Sequence, residues 1–457
     1  MALQRVLTLG ASRQTLAVIR SVYQAGHAIT VGQHQDCFLA RSRYASETWT
    51  HVDPHRHEEF ADDLVDLLAR RPDIRYVFPT GDTTVAAVAR HYDRIAMHAT
   101  PVIPAPEAVM TCMNKVRTYE LAEQLGVPVP PTQVAADLPQ LYRLADEMGY
   151  PCIVKPIDSL GGFLGHKAII CIDGPHMRQR LPAWPADGRP LLVQQYIPGL
   201  RINCCLAAWD GEVRGAFQWL ILRTEKHDYT GLAVEGVTMP RDRLLWDYCQ
   251  RLMCRLRYTG LALVQFLPDR RIGTPFLLEI NPRMNSTVAF CCRCGFDMPT
   301  IAIRCADHMA GRPVAPPAPL VSYPVGRRFH WLHGDLEGWL EARTDPYITG
   351  RDLLGWLWKI VRATLRGDWP VTWSARDPRP TLWQYARLLI MPVRRRLDKL
   401  SGPRQHVLCH GLCRILRKNR DPKPTATDER PEADQSEKSL AIRGETLQNG
   451  CEAATRP

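Results

Sequence analysis

Four stretches of this 457-residue chain carry residue types that could do chemistry together. In chain order they are Asn114-Lys115 at the start of a helical pattern; PCIVKP, holding Lys155 and followed by SLGGFLG; LLVQQYIPG; and ALVQFLPDRRIGTPFLLEINPR. Gly161, Gly162 and Gly165 make a turn in which backbone N–H groups can approach phosphate oxygens closely. Lys115 and Lys155 add point charges that neutralise a polyphosphate. On these residues alone, a glycine-rich hairpin with two solvated lysines is the competing reading. The last stretch adds an oxygen cluster. A hairpin turning near Arg270-Arg271-Ile272-Gly273 brings Gln265 beside Glu279 and Asn281, which are two apart on one strand and so face one side. One carboxylate and two amide oxygens suit magnesium, which keeps waters and phosphate oxygens as its other ligands. Arg283 follows on the same face, placed to hold a transferring phosphate.

These residues need strands and turns to position them, and the sequence supplies both. In the first hundred residues, apolar runs (Arg5 to Gly10, Ala28 to Gly32, Tyr76 to Gly81) alternate with helical patterns, including one from Asp82 to Arg90. Such alternation implies a parallel sheet covered by helices. The first turn, Gly10-Ala-Ser-Arg, lacks the full GxGxxG fingerprint, so nicotinamide binding is not supported. A helix is expected from Cys112 to Leu125, stopped by Gly126 and the prolines beyond it. From Pro151 to Pro313 short strand-like runs alternate with turns, predicting a strand-rich unit with antiparallel pairs. APPAPLVSYP marks a further boundary. Beyond it, to about Leu400, the pattern is helical and holds seven of the twelve tryptophans, read as core residues of an appended packing region. The last segment, from about Asp421, is polar and expected to be disordered. The expected organisation is α/β: a Rossmann-like parallel domain over 1–110, an α+β domain over 111–312, a Trp-rich helical region over 313–400, and a basic then disordered tail over 401–457.

Composition bounds the function classes. Hydrophobic residues are 45% and charged residues 23%, ordinary for a globular protein. No run of ~18 apolar residues exists to span a membrane. The start has no long apolar stretch before a small-residue cleavage site, so a cytoplasmic chain is expected, its fifteen cysteines reduced. The formal charge of +11 is local: nine basic residues stand against Asp398 between Arg394 and Arg420. Net charge is therefore a weak argument for nucleic acid, and none is expected as a partner. That stretch has apolar neighbours and could lie on an anionic membrane surface, the solvated tail being the default. Weaker signals are His51, His55 and His57 with Glu58, and Cys291, Cys292, Cys294 and Cys305. The first read as a solvated loop and the second as buried thiols without paired CxxC knuckles.

Taken in order and spacing, the four stretches resemble the ATP-grasp superfamily over about residues 1–312. VQF followed by LLEINPR, with fourteen residues from Gln265 to Glu279, looks most like a synthetase half of the carbamoyl-phosphate synthetase large chain. The resemblance implies an ADP-forming carboxylate–amine ligase, with ATP and magnesium (manganese as the alternative) and a small carboxylate and an amine as substrates. It places Lys115 and Lys155 on phosphates, Gly161 and Gly162 in the covering loop, and Gln265, Glu279 and Asn281 on the metal. Gln195, Tyr196 and Ile197 would meet the adenine. Arg283 would contact the phosphate or intermediate. The segment Leu222 to Gly236 lies where related enzymes contact acceptor or phosphate; Arg223 is the first candidate there, before Lys226 and His227. Two positions depart from the family pattern. Gln195 stands where an acid precedes Tyr-Ile, and Gly199-Leu200-Arg201-Ile202 stands where a ribose-binding acid is usual. An ATP-binding sensor without turnover is the alternative these departures carry. One synthetase unit without an amidotransferase region argues against carbamoyl phosphate as the product. Many members of the family it resembles are dimers, so a homodimer is one option and the oligomeric state stays open.

Overall fold

The structure, a computed structural model, describes residues 4–400 except 159, 161, 162, 165, 186, 346 and 347, with side chains described to residue 390. Gly161 and Gly162, the side chains of the basic stretch and the tail from 401 lie outside the described residues. All three sheets and the cavity between them belong to one unit, Met1–Val393.

Five parallel strands form the first sheet, in the order Glu47–Thr50, Ala28–Gln33, Arg5–Leu9, Ile74–Pro79, Thr100–Pro101. This doubly wound order puts helices on both faces and a crevice at the strands' carboxyl ends. The helix Asp82–Arg90 begins at that end, directly after the strand Ile74–Pro79.

A seven-stranded sheet runs in the order Pro275–Asn281, Gly260–Pro268, Ile202–Trp209, Glu212–Thr224, Ala233–Thr238, Arg328–His330, Trp369–Pro370. The strand Ile202–Trp209 is buried at all eight positions because both of its faces are covered. Cys204, Leu206 and Ala208 enter a core with Leu245, Tyr248, Cys249, Leu252 and Met253. Those five recur at helical spacing along Arg243–Arg255, whose first turn is capped by the Asp242 carboxylate accepting from Leu244 N and Leu245 N. Cys205 and Ala207 point the other way, into a core shared with Val6, Leu16 and Ile19 of the parallel domain. Alternation of this kind continues on Gly260–Pro268, where Ala262, Val264 and Phe266 face the first core and Leu261 and Leu263 the second. Gln265 shares the face of Leu261 and Leu263 by period-two parity. The polar cluster therefore extends an apolar stripe at the point where the core ends.

A smaller antiparallel sheet, Thr132–Ala135, Leu191–Gln195, Cys152–Pro156, Ile169–Cys171, has its own core. Cys152, Val154, Leu191 and Val193 pack on the helices Leu138–Met148 and Gly174–Arg180. Asp137 and Asp173 cap these helices by accepting from Gln140 N (2.8 Å) and His176 N (2.7 Å), each cap contributing about 1 kcal/mol. The opposite parity leaves Ile153 and Lys155 on the sheet's other face.

The expected helix from Cys112 to Leu125 is two helices, Pro106–Met113 and Lys115–Gln124. Asn114 breaks them: its backbone is extended, bridging to Asp158, and its side chain caps the second helix by accepting from Arg117 N. The region after 313 is helical but also lends two strands to the large sheet, because Arg328–His330 pairs with Ala233–Thr238. Its tryptophans divide. Trp331 and Trp356 are buried, whereas Trp358 is 64% exposed. Asp335 organises this region: it accepts from Arg223, from His330 Nε2 and from Trp356 Nε1. All twelve cysteines among the described residues are free thiols, and no helix among those residues is long and apolar enough to cross a membrane.

Candidate functional site

A cavity of about 450 Å³ opens between the free face of the small sheet and the polar end of the large one. That volume suits a nucleotide-sized ligand. Its wall includes Lys115, Lys155, Gln194, Tyr196, Ile197, Arg201, Gln265, Glu279, Asn281 and Arg283.

The metal-ligand candidates lie side by side. Antiparallel register sets Asn203 opposite Gln265 and Gln265 opposite Glu279, making a row across three strands. Gln265 Nε2 donates to Asn203 Oδ1 (2.7 Å), and Asn281 Nδ2 donates to Glu279 Oε1 (2.8 Å). Gln265 thus spends its N–H on a neighbour and keeps its carbonyl oxygen for a cation, while the Asn281 carbonyl oxygen also accepts a long hydrogen bond from Arg283 Nη2 (3.4 Å). Together with a carboxylate this is a hard-oxygen donor set, which fits magnesium. Burial alone would push the Glu279 carboxyl up. Lys115, the Asn281 hydrogen bond, Lys155 and Arg283 outweigh it and hold the group below its ordinary value, ionised.

Lys155 reaches the cavity from the small sheet. Its Nζ donates to Tyr119 Oη (2.9 Å) and Gln194 Oε1 (2.8 Å). Burial pushes its ammonium down to about 8, against the pull of Glu279. Tyr119 Oη donates in turn to Leu278 O (2.7 Å), which ties the lysine to the metal-candidate strand. Lys115, at the first turn after Asn114, donates to Asp158 O (3.0 Å); burial lowers it too, with Glu279 opposing. Arg283 is held from the parallel domain: Nη2 donates to Asp82 Oδ2 (2.8 Å) and Nε to Asp82 Oδ1. The helix start that the first sheet positions thereby aims a guanidinium at the cavity.

Of the sequence candidates, the structure brings Lys115, Lys155, Gln265, Glu279, Asn281, Arg283, Tyr196 and Ile197 to this one cavity. Arg223 is a correction. Its guanidinium is consumed by Glu235 (2.8 Å) and by Asp335 (2.9 and 2.5 Å), and it does not line the cavity. It sits inside the strand Glu212–Thr224, opposite Glu235 of the next strand, rather than after an apolar strand. Gln195 is also off the wall; its neighbour Gln194 lines it, because successive strand residues face opposite sides. Lys226 pairs with Glu341. Sequence reading missed Gln194, Asn203, Tyr119, Asp82 and Arg201. Arg201 lines the cavity and donates to Tyr229 O (3.0 Å) and Gly231 O (2.8 Å).

Residues 187–325 match the family described as ATP-grasp in the biosynthetic pathway with Ter operon. The chain is 28% identical over 205 residues to the carbamoyl phosphate synthase large chain of Thermomicrobium roseum, covering 43% of this chain and 18% of that protein. It spans less than a fifth of the length of the curated relatives it matches. Among solved structures it resembles an ADP complex of N5-carboxyaminoimidazole ribonucleotide synthetase, with a TM-score of 0.57 and 15% identity over 74% of this chain and 84% of that one. It also resembles an ATP-analogue complex of biotin carboxylase from Campylobacter jejuni, with a TM-score of 0.53 and 16% identity over 71% and 74% of the two chains. At these identities the structural likeness establishes the fold.

Proposed function

We propose, from the premise that this chain carries an ATP-grasp domain, that it is an ADP-forming ligase: it activates a small carboxylate as an acyl phosphate, which an amine then attacks. The observation that carries this reading is the convergence of Gln265, Glu279 and Asn281 with Lys115, Lys155 and Arg283 on one nucleotide-sized cavity. Gln265, Glu279 and Asn281 would hold magnesium, whose chemistry is to neutralise phosphate charge and align the phosphoryl oxygens.

The chain's own residues have separate tasks. Lys115 and Lys155, both within electrostatic reach of Glu279, bind phosphate oxygens. The backbone and side chains at Tyr196 and Ile197 bound the base. Arg283, locked by Asp82, stabilises the transferring phosphoryl group and the acyl phosphate oxygens. The substrate carboxylate attacks the γ-phosphorus, the bond to the β–γ bridging oxygen breaks, and ADP leaves. The amine nitrogen then bonds the acyl carbon and gives up a proton, and phosphate departs with the electron pair of the broken C–O bond and can carry that proton. Tyr119 and Gln194 keep Lys155 extended toward the site.

A second reading, an ATP-binding sensor without turnover, is favoured by one feature: Leu200-Arg201-Ile202 offers no carboxylate for a ribose. ADP release from MgATP, assayed with pooled amino acids and small carboxylates, separates the two. Pool-dependent release supports the ligase. MgADP binding without release from any pool supports the sensor.

A further inference from the structure

The fold pairs its buried guanidinium groups with carboxylates: Arg20 with Asp377, Arg223 with Asp335, Arg283 with Asp82. Two arginines beside the cavity, the buried Arg13 and the partly exposed Arg201, form no such ion pair among the described residues. Arg13, only 4% exposed, opens the helix Arg13–Gln24 of the parallel domain. Its Nη2 donates to Ser286 Oγ (2.9 Å) and to Ala233 O (3.0 Å), and both residues line the cavity. Its Nε and Nη1 have no hydrogen-bond partner, and among the described residues it forms no ion pair, Glu225 acting on it only from farther away. The guanidinium lies 3.7 Å over the Trp331 ring, which excludes water from that side, and the Trp331 Nε1 donor is itself unpartnered. Arg201 approaches the same short segment from the cavity, donating only to the carbonyls of Tyr229 and Gly231.

The Glu225 carboxylate acts on Arg13 only from beyond ion-pair distance, so the buried cation is incompletely compensated, and an arriving anion lowers its cost. Ser286 transmits the charge. Its oxygen accepts from Arg13, so its own proton is free to be donated into the cavity. We propose that Ser286, backed by Arg13 and flanked by Arg201, forms a subsite for a carboxylate that a substrate carries besides the group that reacts. The substrate class is then an amino acid or a dicarboxylate, rather than a simple monoacid or an alkylamine. This inference rests on reading the cavity as a ligase site.

Calorimetric titration of the full-length protein, saturated with MgADP, tests it with four probes: L-alanine against L-alaninamide, and succinate against succinamate. At least one carboxylate should bind about tenfold or more tightly than its amide, the loss expected when a charge-assisted hydrogen bond is forfeited. Arg13→Met and Ser286→Ala should each shrink that preference to below about twofold, with MgADP affinity unchanged. Ser286→Ala deletes only a hydroxyl from the cavity wall, so it reports even where Arg13→Met does not fold. Equal binding of acid and amide, binding of neither, or a preference that survives Ser286→Ala overturns the subsite. Failure of MgADP to bind the wild-type protein at all would refute the ligase reading itself, which separates the two failures.

Discussion

Raising the pH from 7 to 10 should move stability and nucleotide affinity in opposite directions, because both pass through Lys155. Burial brings this ammonium from 10.5 down to about 8 in the folded protein. The unfolded chain keeps the ordinary value. Between about pH 8 and 10.5 the unfolded state therefore binds the extra proton, and folding stability rises with pH. At ~1.36 kcal/mol per unit, a shift of about 2.5 units corresponds to about 3.4 kcal/mol, all of it gained above pH 8. Phosphate binding favours the charged form, so MgADP affinity should fall by at least about tenfold over the same interval. Lys155→Met supplies the reference, since it keeps the aliphatic bulk and loses the titration. Denaturant unfolding at pH 7, 8, 9 and 10 should show the wild-type stability climbing relative to the variant by about 1 kcal/mol per pH unit above 8. Calorimetry of MgADP near pH 8.5, in buffers of different ionisation heat, should show proton uptake by the wild type and none by the variant. A stability difference that is flat or falls with pH, or nucleotide binding indifferent to pH 8–10, would refute the reasoning.

Asp335→Asn should destabilise the fold by about 3–5 kcal/mol, because it leaves the buried Arg223 without its main partner. Thermal unfolding checks this, and turnover per folded molecule should be unchanged if Arg223 is structural. Asp82→Asn should release Arg283 and lower turnover by about tenfold while the KM for ATP stays within about twofold; steady-state kinetics with ATP and substrate varied separately would read the split. An equal effect on both would place Asp82 in nucleotide binding instead.

The strands carrying the site were legible because each is a short apolar run with a polar residue breaking the pattern where the core ends. Gln265 and Glu279 stood out as polar groups inside ALVQFL and FLLEI. The hairpin register followed from the turn residues between them. Which of two adjacent polar residues faces inward was not legible at Gln194-Gln195, since Leu191, Leu192 and Val193 are all buried and leave no alternation to read. Asn114 marked a helix start in the sequence, but the separate helix Pro106–Met113 ahead of it was not legible, because its stop comes from the Asn114 bridge to Asp158, far along the chain. Arg223 and Arg201 look alike in sequence. Only the tertiary structure gives one to Asp335 and leaves the other at the cavity. Arg13 was hidden for the same reason, since Trp331 and Ser286, which define its surroundings, lie hundreds of residues away.

The oxygen row on adjacent strands is the centre of the proposed chemistry, and Glu279→Gln tests it with almost no change of shape. ADP release from MgATP should be measured for both proteins with the same pools of small acids and amines. The wild type should release ADP only when a pool contains its substrates, and the variant should lose at least about a hundredfold of that rate, the scale of removing a charged group that stabilises the transition state. Substrate-dependent release that persists undiminished in Glu279→Gln would contradict the assignment of this site.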